Sequence, residues 1–589
     1  MHVFGVWAPA ARSVDLLLTP PDGSMTGAGE RLPMLPGDHG WWAVEVSAAG
    51  HGTDYAFLVD GSAPLPDPRS GWQPFGVHGP SRVFDTGRHV WSDAAWRGRD
   101  VLGAVFYELH VGTFTAEGTL DAAVERLDHL VDLGVDVVEV MPVAAFPGRY
   151  GWGYDGVDLY AVHTLYGGPA AFQRFVDACH ARGLAVCLDV VYNHLGPSGN
   201  YLSQFGPYFT DTHETPWGEA VNLDDDGRAQ VRRFVCDNAL RWLEDFHVDC
   251  LRLDAVHELV DDSRRHLLAQ LSDEVAELAH RLGRPLALVA ESDLNDPRMV
   301  EPTRDGGLGM TAQWSDDVHH ALHALLTGEQ QGYYCDFGGP DGVAILARTL
   351  TRVFRHAGDH STFRGRDWGV PVDPRRHRGH RFLAYLQNHD QVGNRARGDR
   401  ITQSLSPGRL AVGAALVLSS PFTPMLFMGE EWAATTPWRF FTDHDPELGA
   451  LVSQGRRTEF RPHGWADDDV PDAQDRATFE ASRLDWAEAD KDIGARMLQW
   501  YRALLGLRRT EPDLRADDLR EVTVSAGADW LVMHRGSLDV AVNLGAQPAV
   551  LPVRPGAAVV LAWDARAVVT DGGVRLPADG VAVLRAGRG

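Results

Sequence analysis

The sequence predicts an α/β protein, a closed (β/α)8 TIM barrel flanked by an N-terminal β-sandwich and a C-terminal antiparallel β domain. Three observations carry that prediction. Over roughly residues 100–430, eight short apolar runs alternate with amphipathic helical stretches. Before and after this region the chain holds only short runs of strand type between Gly, Pro and Asp turns. At 589 residues, the chain is also too long for one domain of ordinary size.

Residues 1–90 alternate apolar and polar over 14–18 and 41–46, and no run there has the length or period of a helix. The natural reading is a small immunoglobulin-like sandwich. The stretch 61–80, rich in Pro and Gly, skirts the boundary with the next domain. Residues 91–512 form the expected barrel domain, with candidate strands at 105–109, 137–141, 185–190, 248–253, 286–290, 310–314, 382–386 and 425–428. Most read as near-continuous apolar runs, as buried parallel strands should. Helical periodicity fills the gaps, for example at 120–133, 170–182, 228–246 and 262–281, and a run at 496–508 would close the barrel. An open doubly wound sheet is the alternative, but no glycine-rich phosphate loop follows the first strand. Residues 513–589 return to short β runs at 522–524, 530–534, 540–542 and 558–562. The acidic segment 467–475 reads as a solvated loop.

Charge narrows the partners. Lys and Arg total 54 against 81 Asp and Glu, a net of −27, so nucleic acid and anionic membrane surfaces are not expected partners. The N-terminus lacks the pattern of a secretory signal, and no stretch is long and apolar enough to span a bilayer. Five scattered cysteines without a CxxC imply neither a disulfide framework nor a zinc cluster. A cytoplasmic location is therefore expected. The 18 tryptophans suit a neutral sugar substrate, whose C–H faces pack on indole, although core packing accounts for many of them.

The active site of such a barrel lies at the C-terminal ends of its strands. Unusual polar residues appear where the apolar runs stop. Strand one ends in Glu108 and His110, strand three in Asp189, Asn193 and His194, and strand four in Arg252, Asp254 and His257. Strand five ends in Glu291 and Asp293, strand six leads into Asp316, Asp317, His319 and His320, and strand seven ends in Asn388, His389 and Asp390. A lone Asp after a strand is most often a helix cap or turn residue. Acids and histidines at so many strand ends on one rim point instead to acid–base or glycosyl chemistry. Glycosidic cleavage needs one carboxylic acid to protonate the leaving oxygen and a second carboxylate to attack or to activate water. Attack requires the pair roughly 5–5.5 Å apart, within reach of adjacent strands four and five. Arg252 shares a strand face with Asp254, two residues on, and can hold it ionised. Glu291 must be protonated before reaction and so should sit near other carboxylates, with Asp390 as a candidate third.

The segments DVVYNH (189–194), RLDAVH (252–257), AES (290–292) and QNHD (387–390) resemble the signature regions of the α-amylase superfamily of glycoside hydrolases and transglycosidases. That resemblance implies Asp254 as nucleophile, Glu291 as general acid/base and Asp390 as the acid that stabilises the transition state. It implies His194, Arg252 and His389 around the sugar that becomes covalently bound, and Tyr154 with Asp155 as a ring-stacking and orienting pair. FYELHVGTF (106–114) and GWGYDGVDLYAVHTLYGGP (151–169) are similar to the branch holding branching enzymes, isoamylase-type debranching enzymes and trehalohydrolases. WSDDVHHALHALLTGEQQGYY (314–334), TPWGEAVNLD (215–224) and MGEEW (428–432) look most like the maltooligosyltrehalose trehalohydrolases.

The resemblance implies hydrolysis of the α-1,4 bond next to the terminal trehalose of maltooligosyltrehalose. It also implies no cofactor, a maltooligosyltrehalose synthase as pathway partner, and a glycogen-binding type of N-terminal sandwich. Typical amylases carry Lys and His three and four residues after the nucleophile. Here His257 and Glu258 stand there, compatible with a trehalose leaving group. Asp316, His319, His320 and Gln391 are expected near the leaving-group subsites. Adjacent His319 and His320 diverge by about 100° on a helix, so no metal site is expected from them. Superfamily members often bind calcium near the asparagine equivalent to Asn193, but nothing in the sequence establishes such a site. Two alternatives share the catalytic acids or dispense with them: a branching enzyme that passes the glucan to a sugar hydroxyl, and an inactive glucan-binding scaffold.

Overall fold

The computed structural model describes residues 1–20, 22–25, 29–460 and 469–587. Its centre is a closed barrel of eight parallel strands in sequential order. They are β1 (Phe106–Leu109), β2 (Val137–Val140), β3 (Ala185–Val190), β4 (Cys250–Leu253), β5 (Ala287–Ala290), β6 (Ala312–Trp314), β7 (Phe382–Tyr385) and β8 (Thr423–Phe427). Each lies within one expected run or overlaps it, because a strand buried on both faces must be apolar throughout.

Strand side chains alternate, and the alternation sorts the barrel into two compartments. Phe106, Val137, Ala185, Cys187, Cys250, Ala287, Val289, Ala312, Trp314, Leu383, Tyr385 and Met425 pack into one inner cluster. Their neighbours of opposite parity, such as Tyr107, Val138, Val186, Leu251 and Leu288, face the surrounding helices. Continuing the inner parity toward the C-terminal ends reaches Glu108, Glu139, Asp189, Arg252, Asp254, Glu291 and Asp316. The in-register pairs Glu108–Glu139 and Asp189–Arg252 put these polar groups at one level above the apolar plug. One stretch of strand therefore supplies both the floor and the polar layer.

The expected helix over 120–133 is broken into Leu120–Val124 and Leu127–Leu133. That expected over 262–281 begins at Leu267, where His266 caps it by accepting from the Leu268 N–H at 3.1 Å. The preceding Asp261 also serves this start, accepting from the Leu267 N–H at 2.6 Å and from Arg232 Nη1 at 2.8 Å. Two hairpins, Phe209–Thr215 with Gly218–Val221 and Asp359–Ser361 with Arg366–Trp368, extend loops on the catalytic rim. Residues 467 and 468 of the acidic segment lie outside the described residues. Downstream, Asp472 is half-buried and accepts a 2.5 Å hydrogen bond from Ser453 Oγ, so this part is anchored rather than merely solvated.

The N-terminal region holds two sheets. One contains His2–Trp7, Trp41–Val46 and Leu35–Pro36, and the other Glu30–Pro33, Val14–Leu18, Asp54–Val59 and Ser81–Arg82. Between them Phe4, Val6, Leu16 and Phe57 are buried. It docks on the barrel's flank through Trp7 against Tyr208 and a 3.0 Å hydrogen bond from Trp41 Nε1 to Gln230. The C-terminal region has a five-stranded antiparallel sheet, Val522–Ala526, Trp530–Arg535, Leu538–Asn543, Gly580–Arg585 and Ala558–Ala562, with a second sheet of three strands. Buried Arg535 ties it to the barrel, donating to the Ser419 carbonyl at 2.8 Å. Among the described residues no helix is long and apolar enough to cross a membrane.

The opposite end of the barrel is closed by residues 91–103. Asp249, just before β4, is buried and accepts from Trp96 Nε1 at 2.8 Å, Arg284 Nη1 at 2.8 Å and the Val186 N–H at 3.0 Å. His180 Nε2 lies 2.9 Å away, and its other nitrogen is 2.9 Å from Asp93. Removing one partner of such a buried network leaves the others unpaired. Asp249→Ala is expected to destabilise the protein by about 3–5 kcal/mol, read as a lower denaturation midpoint by tryptophan fluorescence. An unchanged midpoint would show that the clamp contributes nothing.

Candidate active site

Arg252 organises the polar layer. Fully buried, its guanidinium lies over the Trp314 ring, 4.4 Å from the centroid. Nη1 donates to Asp189 at 2.7 and 2.8 Å and to Asp254 Oδ1 at 2.9 Å. Nη2 lies 2.8 Å from Glu291 Oε2 but off hydrogen-bond alignment, so that contact is electrostatic. One guanidinium thus holds the carboxyl groups of β4 and β5 within its own span.

The two acids are driven apart in proton affinity. Burial raises Asp254, but Arg252 and the Asn193 amide outweigh it and hold the carboxyl below its usual value. Asn193 Nδ2 donates to Asp254 Oδ2 at 2.9 Å and to its carbonyl at 2.7 Å. For Glu291 the balance reverses: burial, with Asp254 and Asp390 beside it, pushes its carboxyl well up against the pull of Arg252. An ionised carboxylate next to a neutral carboxylic acid is the pairing that glycosidic cleavage requires.

The backbone couples the pair. Ala255 adopts φ 37°, a left-handed conformation that costs a side-chain-bearing residue about 1–3 kcal/mol. There its N–H donates to Glu291 Oε2 at 2.8 Å, while the Val256 N–H reaches the Glu291 carbonyl at 3.0 Å. The sharp turn after Asp254 is thereby tied to its partner.

His389 closes the ring. Its backbone N–H donates to Glu108 Oε2 at 2.9 Å, and Nδ1 lies 2.5 Å from Glu108 Oε1. Burial disfavours its charge, but Glu108 and Asp390 prevail and lift its pKa to about 10. As a cation it donates from Nε2 to Tyr154 Oη at 2.8 Å, and Tyr154 donates to Asp189 at 2.7 Å. His194 packs flat on Trp217, centroids 4.3 Å apart and planes at 11°, with Nε2 3.0 Å from the Tyr154 carbonyl. Asp390 is a third exposed and lies 3.6 Å from His389 Nε2. Beside it opens a cleft of about 1260 Å³, walled also by Gln391, Tyr333 and Asn394.

The N-terminal region, residues 2–72, matches carbohydrate-binding module 48, the isoamylase N-terminal domain. Residues 80–213 match the alpha amylase catalytic domain, and 518–583 a domain of unknown function designated DUF3459. A malto-oligosyltrehalose trehalohydrolase of Arthrobacter ramosus is 52% identical over 588 residues, 99% of each chain. The chain belongs to the malto-oligosyltrehalose trehalohydrolase family. A crystal structure from Salmonella typhimurium, assigned as an alpha amylase, superposes with a TM-score of 0.90 at 38% identity, covering 99% of this chain and 97% of that one. A 1,4-alpha-glucan branching enzyme of Vibrio parahaemolyticus is 33% identical over only 54% of this chain and 48% of its own.

The sequence-derived trehalohydrolase site residues do not all meet at this ring. Tyr154, His194, Arg252, Asp254, Glu291, His389 and Asp390 do, with Gln391 in the adjoining cleft. Asp155 points to His444, 3.4 Å away. His257, a quarter exposed, accepts weakly from the Asp293 N–H at 3.4 Å. Asp316 accepts from Tyr385 Oη, and burial, with Asp293 and Asp390 nearby, lifts it to about 6 against that hydrogen bond.

His319 departs from expectation. Its ring is buried, with Nδ1 2.9 Å from the Leu386 carbonyl and Nε2 3.2 Å from Tyr334 Oη, so both nitrogens are committed within the protein. His320 is also buried, stacked on Tyr333 at 4.6 Å, and burial drops its pKa to about 3. Within little more than one turn of that helix, His319, His320 and His323 therefore all face packed rings. Asp317 does not cap the helix. It accepts instead from Asn295 Nδ2 at 2.9 Å and the Arg355 and His356 N–H groups at 2.6 and 3.0 Å.

Sequence reasoning placed Glu108 and Asp189 at strand ends without assigning them a role, and it passed over Tyr385, which has no charge to set it apart from its apolar strand. It also missed the hairpin that pairs Arg364 with Asp293. The described residues bring His213, Asp224 and Asp262 together as the one potential metal cluster. There Asp224 Oδ2 already accepts from His213 and the Asp262 N–H. Asn193 is committed to Asp254 and His194.

Because the folded pKa of His389 exceeds its ordinary 6.5, its charge contributes stability in full below about 6.5 and loses it as pH rises through about 10. Glu108→Gln is expected to return the His389 titration toward the ordinary imidazole range, followed by ¹⁵N-histidine NMR. A His389 titration unmoved by that change would refute Glu108 as its cause.

Proposed function

We propose that this chain is a retaining glycoside hydrolase that cuts the α-1,4 bond next to the terminal trehalose of maltooligosyltrehalose, releasing trehalose and a maltooligosaccharide. Full-length identity to a named trehalohydrolase supports the substrate. The chemistry rests on the single guanidinium shared by Asp254 and Glu291, beside which one carboxyl is held ionised for attack and the other protonated for the leaving oxygen.

In the first step ionised Asp254 attacks the anomeric carbon as neutral Glu291 protonates the departing trehalose oxygen. In the second, Glu291, now ionised, takes a proton from water, which displaces Asp254 and restores the α configuration. Arg252 keeps the attacking carboxylate ionised, Asp390 accepts from sugar hydroxyls around the oxocarbenium-like centre, and His389, both of whose N–H groups are engaged within the protein, positions Tyr154 beside it. His194 and Trp217 offer a flat platform for a sugar face, Trp217 being half exposed. His257, Asp316 and Gln391 belong on the leaving-group side. A maltooligosyltrehalose synthase would supply the substrate, and both enzymes would act in the cytoplasm on the route to trehalose.

The test is product analysis after incubation with maltotriosyltrehalose and, separately, maltopentaose. Trehalose and maltotriose are expected from the first and little cleavage of the second. Branched glucan without trehalose would favour the branching reaction instead. Asp254→Asn and Glu291→Gln should each lose several orders of magnitude in kcat on trehalose-bearing substrate. Wild-type rates in Asp254→Asn would refute the nucleophile. Trp217→Ala should raise KM about tenfold with a smaller change in kcat, since stacking acts in ground and transition states alike.

A further inference from the structure

A second cleft, about 670 Å³, opens where the turn after β1, the loop after β2 and the segment around helix Arg476–Glu480 meet. None of Asp254, Glu291 and Asp390 lines it. Its wall continues inward through Phe479, Phe441 and Trp438, whose indole donates to the His389 carbonyl at 3.1 Å.

In a protein of net −27, three arginines, Arg149, Arg476 and Arg483, line this cleft beside one acid, Glu117, with Asp443 and Asp475 close behind Tyr150. Arg476 is paired with Glu480 at 2.7 Å. The guanidinium groups of Arg149 and Arg483 meet no acceptor among the described residues. Arg483 is nevertheless held in place: its Cζ lies 4.9 Å over the Phe479 ring, which stacks on Tyr150 at 4.9 Å and 7°. A cation fixed by ring faces keeps its N–H donors free. The Arg483 Nε is buried without a hydrogen-bond partner, a cost that a bound acceptor would remove. Beside these donors Leu165 is half exposed and supplies apolar surface.

We propose that this cleft binds an anionic sugar of the sugar-phosphate class, at a site distinct from the catalytic one. Arg483 and Arg149 take the phosphate through charge-assisted hydrogen bonds, and the apolar wall takes the C–H face of the ring. A neutral glucan would leave both guanidinium groups without the charge they lack.

Calorimetric titration of the full chain with glucose 6-phosphate, glucose and inorganic phosphate tests the proposal. Glucose 6-phosphate should bind with a sub-millimolar Kd, and more tightly than either of the others. Arg483→Met, which keeps the stem on Phe479, and Arg149→Met should each weaken it about tenfold while leaving trehalose release at the wild-type rate in its absence. Absence of binding at millimolar concentration, or binding that both variants leave unchanged, would overturn the site. Glucose binding as tightly would make it a neutral sugar subsite, and inorganic phosphate binding as tightly would make it an unspecific anion site. Either result overturns the assignment to sugar phosphates.

Discussion

Everything at the catalytic end depends on one buried cation. Glu108, Glu139, Asp189, Asp254, Glu291 and Asp316 are crowded at the top of the barrel's inner face, and burial alone would drive all of them neutral. Arg252 decides which of them keeps its charge. It binds Asp189 and Asp254 by aligned hydrogen bonds and touches Glu291 only obliquely. Two carboxyl groups on neighbouring strands therefore reach opposite protonation states without either being far from the cation. Lysine could not substitute, because an ammonium cannot span two strands in a fixed plane or lie flat on Trp314.

The second cation works through the first. His389 is charged because Glu108 lies behind it, and its donation to Tyr154 Oη turns that hydroxyl to donate to Asp189, the carboxylate that also anchors Arg252. Glu139, fully buried and with no hydrogen-bond partner among the described residues, is kept neutral by burial and by Glu108 and Asp189 beside it. Within this layer Asp254 is held below its usual value, while burial lifts Asp189 and Asp316 to about 6.

Much of this was legible in the sequence, for a physical reason. Parallel strands buried on both faces must be apolar, so polar residues at their ends stand out, and Arg252 two residues before Asp254 announced a shared face. The eight strands and the acids at 254, 291 and 390 followed from that contrast. What was not legible depended on contacts between distant segments. His319 sits near the end of strand six, as expected of a site residue, yet Leu386 and Tyr334, 67 and 15 positions away, consume both its nitrogens. The hairpin over 359–368 has too little apolar alternation to declare itself, and only Asp293 reveals what its Arg364 does. The left-handed turn at Ala255 is invisible because alanine does not ordinarily adopt it.

The parity that divides floor from polar layer also limits how this architecture can vary. Inserting or deleting one residue inside β4 would rotate Arg252 and Asp254 outward among the helices and bring Leu251 and Leu253 onto the axis. Diversification by length change is thus confined to the connections beyond the strand ends, such as the hairpins bearing Trp217 and Arg364. New specificities can be grafted there by lengthening or shortening a loop, while the reacting centre tolerates only substitution.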